Sequence, residues 1–352
     1  MATIKDVARL AGVGVGTASR AISGRGAVAP DTLERVQAAV AALQFKPSNL
    51  ARSLSLKALG MLGVYVPHFE GWFNGPILSG IDEQLRAVHR HMVTASGCGQ
   101  GNAREQALEG IDFLVQRECD GVLVVSYDLT DDDLIGLQGR CPNLVVLNRR
   151  VPGLDDHCFS SDHHLAGQLA AQALLSRGHR EIATISGPEE APDNQARMAG
   201  FTQTLRQHGV RIRRTQAVIG DFSLSSGYEA ADCLLQASRR GYTAVFSAND
   251  QMAVGAIARF TEAGLRVPHD VSVMGYDDSP IAPYSAPALT TVRLPFKDAA
   301  ANGCRYLLNA CYELALPVQR QFPPAVIWRH SVGQGPHAAV DVAPAGSSQA
   351  TA

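Results

Sequence analysis

The sequence predicts an α/β protein in three parts: an N-terminal all-α head, a short hinge, and a two-lobed core of doubly wound parallel sheets. In the first 45 residues, apolar side chains recur every three or four positions, as in amphipathic helices. From residue 60, short apolar runs alternate with amphipathic stretches, which is typical of parallel strands joined by helices. Residues 1–59 carry eight basic and three acidic side chains, a net charge of +5, so the remainder carries −7 of the chain's total of −2. A basic head on an acidic body indicates a polyanionic partner for the head alone.

The opening stretch "TIKDVARLA" predicts the first helix, because its apolar residues fall at i, i+3, i+4 and i+7. Thr3 stands at the N-cap with Asp6 three residues on, and Gly12 ends the helix. The following "GVGVGTAS" is glycine-rich like a dinucleotide-binding loop, but Thr17 and Ser19 stand where the third glycine belongs. A helix also precedes these glycines where that motif requires a strand. We therefore exclude a nucleotide-binding loop.

Two further helices are predicted in the head. "VGTASRAIS" forms a short second helix with Val15 among its inward-facing residues, and "PDTLERVQAAVAALQF" forms a third that begins at Pro30. Helix, tight turn, helix, loop and helix in a basic segment predict a helix-turn-helix DNA-binding domain over residues 1–46. The alternative is a small helical bundle with surface arginines. It does not explain why three polar residues cluster on the exposed side of the second helix: Thr17, Ser19 and Arg20.

The motifs "TIKDVARLAGV", "TASRAIS" and "PSNLARSL" resemble the head of the lactose/galactose repressor (LacI/GalR) family. Two stretches of the body, "VVLNRRVPGLDDHC" and "VIWRHSV", most resemble its galactose-repressor branch. The resemblance implies DNA contacts by Thr3, Val15, Gly16, Thr17, Ser19 and Arg20. Val15, Gly16 and Arg20 would stand at the base-reading positions of the recognition helix, and the hydroxyl residues would contact phosphates. Because Gly14 and Gly16 replace serines of the family, we expect operator preference to rest on Val15, Arg20 and DNA shape.

Residues 47–59 are predicted as the hinge. In the family this segment becomes helical on the operator and inserts a leucine into the minor groove, which opens and kinks the duplex. The resemblance implies that Leu54 has this role here and that Asn49 and Arg52 contact DNA beside it. An ordinary linker, with Leu54 packed on the body, is the alternative.

The body contains apolar runs that predict buried parallel strands, among them "MLGVYV", "DGVLVVS", "LVVLN", "EIATIS", "TAVFS" and "VSVMGY". It resembles the periplasmic-binding-protein-like core of the same family. The resemblance implies a first lobe from residues 60–161 plus 293–320 and a second from 162–292 plus 321–333. The tail 334–352, rich in Pro, Gly, Ala and Ser without periodicity, is predicted to be disordered.

Two such lobes bind small molecules between them, at the carboxyl ends of their strands. The residues near the predicted strand ends combine aromatic rings with carboxylates, amides and a guanidinium, a set that suits a sugar. The predicted effector-binding residues are Trp72, Phe73, Ser126, Asn148, Asp193, Arg197, Phe222, Asn249, Asp277 and Phe296. By resemblance, Arg197, Asn249 and Asp277 bind hydroxyl groups and Phe222 stacks on the sugar ring.

Simpler roles stay open for two of these residues, Arg197 and Phe296, and for Asp250, which follows Asn249. Arg197 could pair with a surface carboxylate, Phe296 could be core, and Asp250 could cap the helix "QMAVGAIARF". The segment "HCFSSDHHLAG" could be drawn as a metal site, but Asp162 stands where the helix 164–177 needs an N-cap. Seven scattered cysteines without a C-x-x-C pair predict neither disulfides nor structural zinc. We predict no metal and no cofactor.

The sequence therefore predicts a transcriptional repressor that binds a near-palindromic operator as a homodimer, under the control of a hexose or a hexose-containing disaccharide. The alternative is a ligand-dependent activator, or a corepressor-type regulator with a non-sugar effector. No G-x-S-x-G elbow or P-loop occurs, so we predict no enzyme and no catalytic residues. No apolar run approaches the roughly 18 residues that span a membrane. The charged N-terminus is unlike a signal peptide, so we predict no membrane partner and a cytoplasmic location.

Overall fold

The computed structural model describes residues 2–23, 27–45, 59–97, 101–236 and 241–337. The chain divides into two compact units, Met1–Gly60 and Met61–Ala352. The predicted hinge contacts Asn49, Arg52 and Leu54 lie outside the described residues, as does the predicted tail beyond residue 337. Within the described ranges, no helix is both long and apolar enough to cross a membrane.

The head consists of α1 (Ile4–Ala11), α2 (Val15–Ser23) and α3 (Pro30–Ala42). A complete capping box begins α1: the Asp6 N–H donates to the Thr3 hydroxyl, and the Thr3 N–H donates to the Asp6 carboxylate at 2.9 Å. Gly12, at φ 65°, ends α1 in the left-handed conformation that a glycine C-cap favours. The prediction that Val15 faces inward is wrong, because Val15 is the first residue of α2 and is 43% exposed. Ala18, one turn later, is fully buried.

The first lobe has a five-stranded sheet, and all of its strands are parallel, in the order β2-β1-β3-β4-β5. Its strands are β1 (Met61–Val66), β2 (His91–Ser96), β3 (Gly121–Val124), β4 (Leu144–Leu147) and β5 (Cys158–Phe159). Its helices are α4 (Asn74–Ala87), α5 (Ala103–Gln116), α6 (Asp131–Arg140) and, from late in the chain, α11 (Phe296–Tyr312). The helices α4 and α11 pack on one face of the sheet, and α5 and α6 pack on the other. This lobe is doubly wound, as predicted.

The second lobe repeats this plan with a four-stranded parallel sheet in the order β7-β6-β8-β9. Its strands are β6 (Ile182–Ser186), β7 (Ala217–Ile219), β8 (Ala244–Ser247) and β9 (Ser272–Met274). Its helices are α7 (His163–Ser176), α8 (Pro192–Gln207), α9 (Leu224–Gln236) and α10 (Asp250–Glu262). The helices α7 and α8 cover one face of this sheet, and α9 and α10 cover the other.

The chain passes between the lobes again near its C-terminal end, where β10 (Thr291–Arg293) pairs with β11 (Ala325–Ile327) in an antiparallel ribbon. Two residues beside this ribbon do not pack in the lobe predicted for them. Leu294, predicted in the first lobe, packs in the second-lobe core, and Phe322, predicted in the second lobe, packs in the first-lobe core. Leu294 packs in the second lobe because the preceding residue, Arg293 at the end of β10, forms a β-bridge with Asp277 of that lobe.

Candidate functional site

A cavity of about 430 Å³ lies where the carboxyl ends of the two sheets face each other. The first lobe contributes the segments that follow β1, β3 and β4, and the second contributes the starts of α8, α9 and α10 and the turn after β9. These segments converge because parallel strands end at the same edge of their sheet. The volume falls within the range of roughly 300–1,000 Å³ that is typical of small-molecule sites.

Most of the predicted effector-binding residues line this cavity: Phe73, Ser126, Asn148, Asp193, Arg197, Phe222, Asn249 and Asp277. Trp72 and Phe296 are not in its wall. The neighbours of Trp72 on either side, Gly71 and Phe73, line the cavity. Phe296 begins α11 and packs edge-on behind Phe73, with 4.8 Å between the ring centroids. The core alternative for Phe296 is therefore the correct one.

Arg197 forms the floor of the cavity in the second lobe and is only 2% exposed, so the surface ion pair considered for it is wrong. Its guanidinium donates to the Asp193 carboxylate at 2.8 Å and to the Ala248 carbonyl. It also lies 3.8 Å from the centroid of the Tyr276 ring, a cation–π contact. Because α8 begins at Pro192, Asp193 and Arg197 are one turn apart on the same face of that helix.

Below this floor, a buried histidine connects the lobes. The Nδ1 atom of His163 lies 2.8 Å from the Tyr276 hydroxyl, and its Nε2 lies 3.1 Å from the Asn148 carbonyl. Burial lowers the pKa of His163 to about 4, so the ring is neutral. A carbonyl can only accept, so Nε2 carries the hydrogen and the Tyr276 hydroxyl donates to Nδ1. Hydrogen bonds therefore join the end of β4 to the tyrosine beneath Arg197.

In the segment that contains His163, Asp162 has a structural role. Asp162 accepts a hydrogen bond from the Leu165 N–H at 2.9 Å and caps α7, as predicted. No group of three or more His, Cys, Asp or Glu side chains suited to a metal ion occurs in the part of the chain that the structure describes.

Phe222 forms the aromatic wall, and two amides fix its backbone. Its carbonyl accepts hydrogen bonds from Asn249 at 2.8 Å and from Gln251 at 2.9 Å. Its φ is 72°, an uncommon conformation for a residue with a side chain. Its ring approaches Gly187, where an added Cβ would collide with it, and meets Tyr127 of the first lobe edge-on, with 6.2 Å between centroids. Aromatic side chains from both lobes thus meet across the cavity.

The prediction that Asp250 caps α10 is wrong. Asn249 is the cap, because its Oδ1 accepts from the Met252 N–H at 2.9 Å. Asp250 is the first residue of α10, and its carboxylate accepts from the Ser279 N–H and the Thr291 hydroxyl, each at 2.7 Å. Burial raises the pKa of Asp250 to about 6. Asp250 therefore fixes the turn after β9.

That turn presents Asp277 to the cavity. Asp277 and Asp278 have φ values of 108° and 55°, and such strained non-glycine residues cluster at functional sites. Two arginines hold Asp278, Arg293 at 2.7 Å and Arg329 at 2.6 Å. Burial, opposed by Arg197 and reinforced by Asp250, raises the pKa of Asp277 well above its usual range. Its carboxylate accepts no hydrogen bond from any described residue, which leaves both oxygens for a ligand.

The cavity also contains residues outside the predicted set: Pro67, His68, Glu70, Gly71, Val125, Tyr127, Leu147, Arg149, Pro192, Asp221, Ser223, Leu224 and Gln251. Most of them are sequence neighbours of predicted residues. A prediction that included the whole segment after each strand would have found them. Arg149 is held by the Leu129 carbonyl at 2.7 Å and by Asp131.

In the head, α2 exposes the residues that resemble base-reading positions. Val15, Gly16, Ser19 and Arg20 are exposed, and Thr17 is partly buried. Nothing lies within 4 Å of a Cβ added at Gly14 or Gly16, so there is open space beside both glycines where the serines of the family would carry side chains. The Thr3 hydroxyl is already engaged in the cap of α1.

Comparison with known proteins agrees with this two-part structure. Residues 3–48 match the lacI family of bacterial regulatory proteins, and residues 171–332 match a periplasmic binding protein-like domain. The transcriptional regulator GalS of Salmonella typhimurium is 31% identical over 94% of this chain and 97% of its own. A LacI-family regulator of Burkholderia phymatum is 47% identical, with a TM-score of 0.76, over 78% of this chain and all of its own.

The crystal structure of the lac repressor dimer bound to operator and the anti-inducer ONPF is similar over 94% of this chain and 99% of its own, at 27% identity and a TM-score of 0.83. These relatives are transcriptional regulators and not enzymes. With a helix-turn-helix head and a two-lobed body that match them over nearly its whole length, the chain belongs to the LacI/GalR family of DNA-binding transcriptional regulators.

Proposed function

We propose that this regulator is a repressor whose cavity binds a hexose or a hexose-containing disaccharide, and that this sugar controls its affinity for DNA. The observation that carries the proposal is the pairing of the Phe222 ring with unsatisfied polar groups. The Asp277 carboxylate has no hydrogen-bond partner, and neither does the buried Oδ1 of Asn148, among the described residues. A buried acceptor without a partner, such as Asn148 Oδ1, is costly. Sugar hydroxyls would satisfy it and would also bind the partly buried Asp277 carboxyl group, while the apolar sugar face stacks on the ring.

We further propose that two copies bind one near-palindromic operator. The exposed Val15 and Arg20 on α2 suit contacts with base edges, and Thr17 and Ser19 suit contacts with phosphates. The similarity to a repressor solved as a dimer on its operator supports the homodimer. The sugar can change DNA affinity only if it binds the DNA-competent state and the other state with different affinities. The two states would differ in how the two lobes contact each other.

A thermal-shift screen against monosaccharides, disaccharides and purines tests the ligand class. A ligand present at 100 times its Kd adds about 2.7 kcal/mol to the free energy of unfolding. Stabilisation by a sugar, lost in D277A, is the expected result. Stabilisation by a purine alone would refute the sugar and favour a regulator with a non-sugar effector.

A DNA titration tests the direction of control. An operator fragment selected from genomic DNA is titrated with and without the ligand found in the screen. Release of DNA by the ligand is expected of an inducible repressor. Tighter binding would instead identify a corepressor-type regulator.

A further inference from the structure

We propose that the second lobe carries an additional DNA-binding surface, which contacts the phosphates of duplex DNA outside the base pairs that the head reads. This surface lies at the amino-terminal edge of the sheet β7-β6-β8-β9, opposite the carboxyl edge where the cavity lies. We call it the basic edge, and it consists of Arg180, Arg206, Arg211, Arg213 and Arg214. The proposal goes beyond control by a sugar and does not depend on it.

The fold brings these five arginines to one end of the second lobe. The strands β6 and β7 are parallel neighbours, so the segments that lead into them start from the same edge of the sheet. Arg180 lies just before β6, and residues 211–214 lie in the segment that leads into β7. Arg206 lies in the last turn of α8, the helix that returns the chain to this edge.

The Arg213 side chain extends along this edge. Its guanidinium reaches Gly241, which precedes β8, and the Gln216 side-chain amide donates to the Gly241 carbonyl. Because β6 lies between β7 and β8 in the sheet, Arg213 extends from the β7 side of the edge towards the far side of β6. The start of β6 is where Arg180 lies, so the basic edge is one surface that draws on several segments of the chain.

The charge of the basic edge is not compensated within the protein. All five arginines are exposed, and none of them forms an ion pair with a described residue. Residues 180–181 and 206–216 contain these five arginines and one acidic residue, Glu181, a net charge of +4. The body carries −7, so the rest of the body carries −11. A positive surface on an acidic body attracts polyanions locally.

Other arginines of the same lobe differ from the basic edge in this respect. Arg259 is paired with Asp232 at 2.6 Å, and Arg266 is paired with Asp270 at 2.8 Å. Surface arginines of this lobe therefore have carboxylate partners elsewhere, and the basic edge is where guanidinium groups stay available for an external phosphate.

The composition of the basic edge favours duplex DNA over a membrane or an acidic protein. Its cations are all arginines, whose planar guanidinium binds phosphate through two parallel hydrogen bonds. No large hydrophobic side chain is exposed within residues 180–181 or 206–216. Membrane insertion and protein hot spots rely on such anchors, whereas phosphate contacts need only charge. The head already binds DNA, which raises the effective concentration of neighbouring duplex at the body.

A capture experiment with the full chain tests the proposal. The protein is bound to an immobilised operator fragment selected from genomic DNA, and a labelled duplex without the operator is titrated at several salt concentrations. We expect the wild type to capture this second duplex. In R211Q/R213Q/R214Q, capture should weaken at least about 10-fold, and the slope of log K against log salt should fall by about 2.7, at about 0.9 for each lost phosphate contact. Operator binding by the head should stay unchanged.

The matched control is R86Q/R117Q/R140Q. It removes three exposed arginines of the first lobe and changes the net charge by the same amount, so it should capture the second duplex as the wild type does. Because Arg213 contacts Gly241, R180Q/R206Q/R214Q replaces the first variant if that variant does not fold. Thermal melting and operator binding show which variants are folded.

Three results would overturn the proposal. The first is a wild type that captures no second duplex. The second is equal capture by the wild type and the variants of the basic edge, which would assign the second duplex to a free head, or equal weakening in the control, which would reduce the effect to net charge. The third is capture of poly-L-glutamate by the basic edge without capture of duplex, which would assign this surface to an acidic protein.

Discussion

Replacing His163 with asparagine should remove a defined part of the pH dependence of stability. Burial lowers the pKa of this imidazole from 6.5 to about 4, with Arg197 lowering it further and Asp193 opposing. In the unfolded chain the imidazole takes up a proton below about pH 6.5. Between these two values the unfolded chain binds more protons, so the contribution to stability is complete above pH 6.5 and is lost as the pH falls towards 4.

The size of the effect follows from the same shift. At about 1.4 kcal/mol per pKa unit, the free energy of unfolding of the wild type should fall by roughly 2 kcal/mol more than that of H163N between pH 7.5 and 5. Urea unfolding of both chains across this range measures the difference. Asp250, whose pKa is raised to about 6, contributes with the opposite sign, because its stabilisation is lost as the pH rises from 3.8 through 6. Both chains contain Asp250, so its contribution cancels.

Y276F serves as the matched control. It removes the hydroxyl that donates to Nδ1 but keeps the imidazole buried, so the pH dependence should persist. If the wild type and H163N lose stability in parallel, His163 is not held neutral by burial. The assignment of its hydrogen to Nε2, and with it the chain of hydrogen bonds from Asn148 to Tyr276, would then be wrong.

The remaining predictions concern the head and the cavity. R20A should bind a genomic library without sequence preference while keeping its ligand-induced thermal shift; an unchanged set of selected sequences would rule out Arg20 as a base reader. D277A should keep DNA binding but lose release by the ligand, and a titration in which the ligand still releases it would exclude Asp277 from the site. G16A should stabilise the head by about 0.5–1 kcal/mol, because helical glycine costs entropy and the position has open space. G12A should destabilise it, since Gly12 has φ 65°; melting of the two variants in the same direction would contradict this reasoning.

The sequence alone was enough for features that depend on local spacing. The cap of α1 needs only Thr3 and Asp6 three residues apart, and both halves of it form. The cavity was predictable because apolar runs identify parallel strands, and the polar residues after parallel strands meet at one edge. Asn148 and Asp277 are examples, since each follows a buried strand.

Other features depend on contacts that no local pattern contains. Either residue of the Asn249–Asp250 pair can cap a helix. Ser279 and Thr291 bind the Asp250 carboxylate, so Asn249 is the residue that caps α10. The burial of the Arg197 side chain depends on the Ala248 carbonyl and the Tyr276 ring, which come from other segments of the chain. Such approaches are set by tertiary packing and not by spacing.

The placement of α11 has a consequence for synthesis on the ribosome. The sheet of the first lobe is complete by Phe159, yet its core also needs Leu307, Leu308 and Phe322. Domains generally fold as units during translation. The first lobe therefore cannot complete its core until nearly the whole chain has emerged. Until then, the apolar face that α11 covers stays exposed. A nascent chain arrested before residue 296 should bind chaperones through this face. The full-length chain, released from the ribosome, should not.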